Sequence, residues 1–525
     1  MEDVMSGDPA KSVSKRSEGR RKRARKSSKP SFLDSQLPFQ NVVNPMAPLE
    51  PLTSDHIEAV HHKSLEIIQR LGVKVLSDSA RAHLRSCGCQ VDEANQVVCM
   101  DPEWVMAMVK KAPSRFTLLP RNPDHALEIG GAVMNFSLVS GPPNVHDAIN
   151  GRRAGTLADF KTLIKLGQSF NAVHFMGNQA VATTDLPVNT RHLDSLLATL
   201  TLSDKVSASM SIGAGRVRDA VEMMAINRGV KPEDLKSSPA LLTNININSP
   251  RVLDQEMSDA AMTLAEYGQA TIITPFTLMG AMTPVTFAAA LAQQNAEALF
   301  TIALVQSKFP GAPVVYGGFT SNVDMRSGAP AFGTPENSRA NMAGGQLARY
   351  YNLPYRTSAC NASNAVDGQA AYETQMALWG SVTGHGNLIY HAAGWLEGGL
   401  VASFEKLIMD IEMIQMMISL MQTPRFDEDE FGLDAMEDVG VGGHFFGTEH
   451  TLSRYKTAFY EPMLSDWQNY ENWQLAGGLT ATERATAHWQ EVVENYEAPP
   501  LDPAIKEELE DYVAKRKAAI GDGEP

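Results

Sequence analysis

Two short runs, 355–361 and 388–394, carry side chains that could do chemistry. The first ends in Cys360 and Asn361, and the second holds Tyr390 and His391 and leads into Trp395. Asp367 and Gln369 follow the first run in Asp367-Gly-Gln-Ala370, where a helical pattern opens. An ionised thiol is a nucleophile, an amide can hold a polar ligand, and aromatic faces attract a cation without a hydrogen bond. Each run has the length of a buried strand and precedes a helical segment, so its polar and aromatic residues fall where strand gives way to loop. A parallel α/β barrel keeps its chemistry there.

Six more runs of the same kind precede these two, at 133–139, 174–180, 206–212, 241–247, 270–276 and 313–319, with helical periodicity between them. The repeated β-α alternation predicts an α/β fold, a (β/α)8 TIM-type barrel over 131–420. An N-terminal helical layer is expected over 49–130 and a C-terminal helical extension, packed on the barrel, over 421–525. An open doubly wound sheet is the rival, but no Gly-x-Gly-x-x-Gly and no Gly-Lys-Ser/Thr loop is present, so no nucleotide is expected. The barrel places Phe136, Asn144, Asn246, Phe276, Tyr316, Phe319, Tyr390, His391 and Trp395 at its mouth as substrate-binding candidates. Amides with aromatic faces suit a charged ligand, above all a quaternary ammonium, while a wholly structural filling of the barrel by the same aromatics stays open. The loop bearing Asn144, Asp147, Arg152 and Arg153 could grip a substrate carboxylate bidentately, or be a structural turn.

Composition narrows the class. With 525 residues, 43% hydrophobic and 20% charged, the chain can bury a large core. Residues 1–30 hold ten Lys or Arg against four Asp or Glu, a tail of +6 on a body of −21, which together give the net −15. That tail, 1–48, is expected to be disordered, and the acidic body argues against a nucleic-acid enzyme. No apolar segment suits a membrane span or a signal peptide, so a cytoplasmic protein with no membrane partner is expected. Cys87, Cys89 and Cys99 do not match zinc spacing, and His385 and His391 are not tied to Cys360 by any ligand spacing, so no metal is expected.

Four stretches, Leu52-Thr-Ser-Asp-His-Ile-Glu58, Ala112-Pro-Ser-Arg-Phe116, Pro313-Val-Val-Tyr-Gly-Gly318 and Asp367-Gly-Gln-Ala370, resemble the trimethylamine methyltransferase superfamily. The resemblance implies the barrel, and transfer of a methyl group from an amine nitrogen to the cobalt of a corrinoid (cobalamin) on a separate small protein, without tight binding of that corrinoid. Archaeal trimethylamine enzymes of the family carry pyrrolysine at the end of the seventh strand. Here Cys360 or its neighbour stands in that place, which implies the branch without pyrrolysine, acting on quaternary amines of the glycine betaine kind. Cys360, Asn361, Asp367 and Gln369 are then the catalytic candidates, with Cys360 a conceivable thiolate methyl acceptor if a cation lowered its pKa. The expected partners are a quaternary amine, a corrinoid protein and further copies of the chain in a homo-oligomer. A catalytically silent betaine-binding protein and a barrel methyltransferase with another acceptor are the alternative readings.

Overall fold

The computed structural model describes residues 32–210 and 212–525. Eight strands hydrogen-bond in parallel and in chain order: β1 (Val133–Leu138), β2 (Phe175–Met176), β3 (Val206–Ala208), β4 (Leu241–Ile247), β5 (Ala270–Met279), β6 (Val314–Gly317), β7 (Tyr355–Ser358) and β8 (Leu388–Ala393). β8 pairs back with β1, Leu388 opposite Asn135, and so closes the barrel. Each expected run coincides with one of these strands, although β5 continues past its run to Met279. A helix follows every strand: α1 (Leu157–Ser169), α2 (Arg191–Leu202), α3 (Gly213–Arg228), α4 (Gln255–Glu266), α5 (Phe287–Lys308), α6 (Pro335–Tyr350), α7 (Gly368–Thr383) and α8 (Phe404–Leu420). Their starts are written in the sequence. Thr156 and Asp159 form a capping box at α1, Thr334 caps α6 with Pro335 in its first turn, and Asp367 and Ser403 cap α7 and α8.

The N-terminal layer holds the helices Ser54–Glu66, Asp78–Ser86 and Pro102–Val109, of which the first and last follow from apolar periodicity in the sequence, and also two small sheets that the sequence does not announce. Their strands are three residues or fewer, too short to show a period of two. One of them, the hairpin of Phe116–Leu118 and Leu127–Ile129, plugs the N-terminal end of the barrel. Leu118, Leu127 and Ile129 pack with Phe175, Val206, Leu242, Ala270 and Leu388 from inside the strands.

The tail boundary expected at 48 is corrected. Val42 pairs antiparallel with Met134 of β1, Asn44 N donates to Ala132 O, and Leu37 N donates to Gln415 Oε1 of α8. Apolar residues follow the basic run closely enough to bury here, so the chain already packs on the barrel before residue 48. The basic cluster itself, 20–26, lies outside the described residues.

At the other end, helix Ala481–Glu494 lies against α8 and α1, and helix Pro503–Ile520 against α3 and α2, where Tyr512 and Arg516 both bond Asp219. The C-terminal extension therefore spans the seam where the last barrel helix meets the first. Among the described residues, no helix is long and apolar enough to cross a membrane.

Candidate functional site

Strand register assigns each side chain to the inside or the outside of the barrel, because successive residues point to opposite faces. Asn135, Phe175, Val206, Leu242, Ala270, Val315, Arg356, Leu388 and their neighbours two residues on form the inner set. The interior is apolar near the plug. Toward the mouth it becomes polar and aromatic, with Asn244 and Asn246 on β4, Thr274 and Phe276 on β5, Arg356 and Ser358 on β7, and Tyr390 on β8.

At the mouth five rings form one wall. Phe319 stacks on Phe332 at 5.1 Å between centroids and lies 5.0 Å from Phe276, 5.5 Å from His391 and 6.2 Å from Trp395. His391 and Trp395 are 4.1 Å apart, and Phe276 is half-buried, so the wall reaches the opening. Two local devices aim these rings. β8 bulges between Ile389 and Ala393, and His391 there adopts a left-handed φ of 57°, a costly conformation for a residue with a Cβ. Trp395 is held from both sides, since its Nε1 donates to Asn361 O and Asn361 Nδ2 donates to Trp395 O at 2.6 Å. Behind it, Asp410 accepts from Gly394 N and pairs with Lys406, whose Nζ also donates to Thr374 Oγ1. Burial, with the charge of Arg356 adding to it, holds His391 well below its ordinary pKa, so its ring is neutral at pH 7.

Several expectations are corrected by this geometry. Phe136 and Tyr316 point outward into the strand-helix layer. Phe136 packs with Phe160 and Leu163, and the Tyr316 hydroxyl donates to Asn295 Oδ1 of α5. Cys360 is fully enclosed, and burial pushes its thiol up to about 12, outweighing the opposite pull of Arg356. Asp367 is an exposed helix cap that accepts from Gln369 N and Ala370 N, and Gln369 donates to Glu373 Oε1. Asn144 sits at the lip, bonded to Leu400 O. The arginines of its hairpin are taken: Arg152 pairs with Glu397, and Arg153 pairs with Asp147 and Asp159. Asn246, Phe276, Phe319, Tyr390, His391 and Trp395 lie on or beside the inner face, and Asn361 orients Trp395.

Two residues of the site were missed. Phe332 comes from a hairpin after β6, formed by Phe319–Val323 and Pro330–Ala331, and no strand run announces it. Arg356 was legible in principle, because it shares the inward parity of Ser358. Its guanidinium lies between the rings of Phe319 and Tyr390, 5.0 and 4.8 Å from their centroids. All four cysteines are free, and among the described residues no group of three His, Cys, Asp or Glu side chains converges as a metal site would require.

Comparison with known proteins agrees with this architecture. The glycine betaine methyltransferase of Desulfitobacterium hafniense is 36% identical over 472 residues, 90% of this chain and 98% of that one. The trimethylamine methyltransferases MttB of Desulfitobacterium hafniense and of Methanosarcina barkeri are 26% and 25% identical, each over 90% of this chain and 95% and 96% of their own lengths. The crystal structure of the hydroxylamine MtmB complex superposes with a TM-score of 0.51 at 8% identity, covering 90% of both chains, which supports the barrel fold. The model of the trimethylamine methyltransferase (MTTB) family matches residues 16–521, nearly the whole chain, and the protein belongs to that family.

Proposed function

We propose that the protein moves a methyl group from a quaternary amine of the glycine betaine kind to the cobalt of a corrinoid presented by a separate protein. The observation that carries this reading is the wall of Phe276, Phe319, Phe332, His391 and Trp395 at the mouth of a barrel closed at its other end. A quaternary ammonium has no N–H to donate, so ring faces are its natural partners, each worth about 0.5–2 kcal/mol. The name of the 36% identical relative supports the same substrate class.

The chemistry asks little of side chains as acids or bases. Attack on a methyl carbon by a reduced cobalt centre forms a cobalt–carbon bond with the metal's electron pair, while the C–N pair stays on nitrogen, which leaves as a neutral tertiary amine. What the chain must do is hold one methyl in line and keep water away, and positioning of this kind can remove several kcal/mol of barrier. The neutral His391 ring adds no positive charge beside the ammonium, and Asn361 fixes the plane of Trp395. The corrinoid is a second substrate that meets the methyl at the open mouth, where Asn246 is exposed and Phe276 half-exposed.

The test is a panel of glycine betaine, proline betaine, carnitine, choline and trimethylamine, each incubated with enzyme and cob(I)alamin and scored for methylcobalamin by its visible spectrum. At least one quaternary amine should be demethylated and trimethylamine should not. Each tenfold difference in rate corresponds to ~1.4 kcal/mol of barrier. Turnover of trimethylamine at the rate of the best quaternary amine would overturn the proposal.

A further inference from the structure

Arg356 is the largest of the fully buried side chains, 1% exposed, yet among the described residues its guanidinium has no carboxylate partner within ion-pair distance. One hydrogen bond holds it, from Nη1 to Gly318 O at 3.2 Å, and its Nε has no partner. Isolated buried charge is expensive, and a cation stacked between two rings recovers only part of that cost. The neighbouring inward groups are unsatisfied as well: Ser358 Oγ, Tyr390 OH and His391 Nδ1 are buried without a hydrogen-bond partner, and Ser358 and Tyr390 are register partners on adjacent strands. A guanidinium and a set of hydroxyl donors that lack an acceptor, inside a barrel whose mouth is lined by rings, describe a seat for a small anion.

We propose that Arg356 receives the carboxylate of the substrate and thereby restricts the enzyme to quaternary amines that also carry an acid group. The inference rests on the quaternary-amine reading and deepens it. Phe319 is shared, with one side of the arrangement facing Arg356 and the other the ring wall, so a dipolar substrate spans it with its carboxylate inward and its methyl groups toward the mouth. The polarity also discriminates. Choline or tetramethylammonium would bring a cation toward an unneutralised guanidinium, a repulsive element that a betaine removes with its own carboxylate. Arg152 and Arg153, already paired with acidic side chains, are excluded from this role.

The decisive probes are 3,3-dimethylbutyrate and 3,3-dimethyl-1-butanol, which keep the branched head but cannot donate a methyl group, titrated calorimetrically into wild type and Arg356→Met. Wild type should bind the acid at least tenfold more tightly than the alcohol, and the variant should bring the ratio to within twofold. A wild-type ratio near one, or a ratio that survives in Arg356→Met, overturns the assignment. If that variant does not fold, the wild-type ratio is joined by the kcat/KM of glycine betaine over choline: a hundredfold preference upholds the proposal and parity overturns it. Acid preference that depends on Arg356, in a protein that forms no methylcobalamin from any amine, would sink the methyl-transfer reading and leave the anion seat standing.

Discussion

Cys360 sits in the loop just past β7 with its thiol enclosed, and burial pushes it up to about 12. Burial therefore keeps the thiol protonated at pH 7, and the thiolate is the form that could accept a methyl group. Replacing Cys360 by Ser should therefore leave the rate of methylcobalamin formation within about threefold of wild type, and a hundredfold loss would restore the thiolate to the mechanism. The same strand shows what was legible at this scale. Alternation along β7 places Arg356 and Ser358 on one face, so the sequence contained the buried arginine. It could not say which aromatics face inward, because strands of a parallel barrel are covered on both sides and lack a polar face to mark parity. Phe136 and Tyr316 were misplaced for that reason.

Among the elements, the eight strands and eight helices followed from run length and helical periodicity, whereas the bulge in β8 that turns His391 into the ring wall leaves no mark in composition. The junction of β1, β2 and the segment that carries Gln40 and Val42 depends on His174. Its Nδ1 accepts from Phe136 N and its Nε2 donates to Gln40 O, both at 3.0 Å, which fixes the neutral tautomer. Burial first, and Lys205 second, lower its pKa from 6.5 to about 3. The unfolded chain takes up this proton before the folded one, so the contribution to stability is full above pH 6.5 and falls as pH drops from there toward 3, by about 1.4 kcal/mol per pH unit. His391 acts in the same direction. Denaturant unfolding at pH 7 and pH 5 should show the loss in wild type and a shallower slope in His174→Gln, whose amide oxygen can still accept from Phe136 N; identical slopes would remove His174 as the cause.

For the whole molecule, the hairpin of Phe116–Leu118 and Leu127–Ile129 covers the N-terminal end of the barrel, which leaves the C-terminal end as the way in among the described residues. On the proposed reaction, two reactants would meet at that end, and the larger one would not enter the barrel. The small amine would then be seated before the macromolecular acceptor docks, and the demethylated product would stay until that acceptor departs. Traffic of this kind is ordered by geometry alone. Initial-rate kinetics with the corrinoid protein as acceptor should give a compulsory-order pattern with the amine first, and excess acceptor should inhibit by occupying the entrance of empty enzyme. Free cobalamin, a smaller acceptor, should inhibit less. Random-order kinetics with no inhibition by the acceptor protein would mean that a second way into the barrel exists.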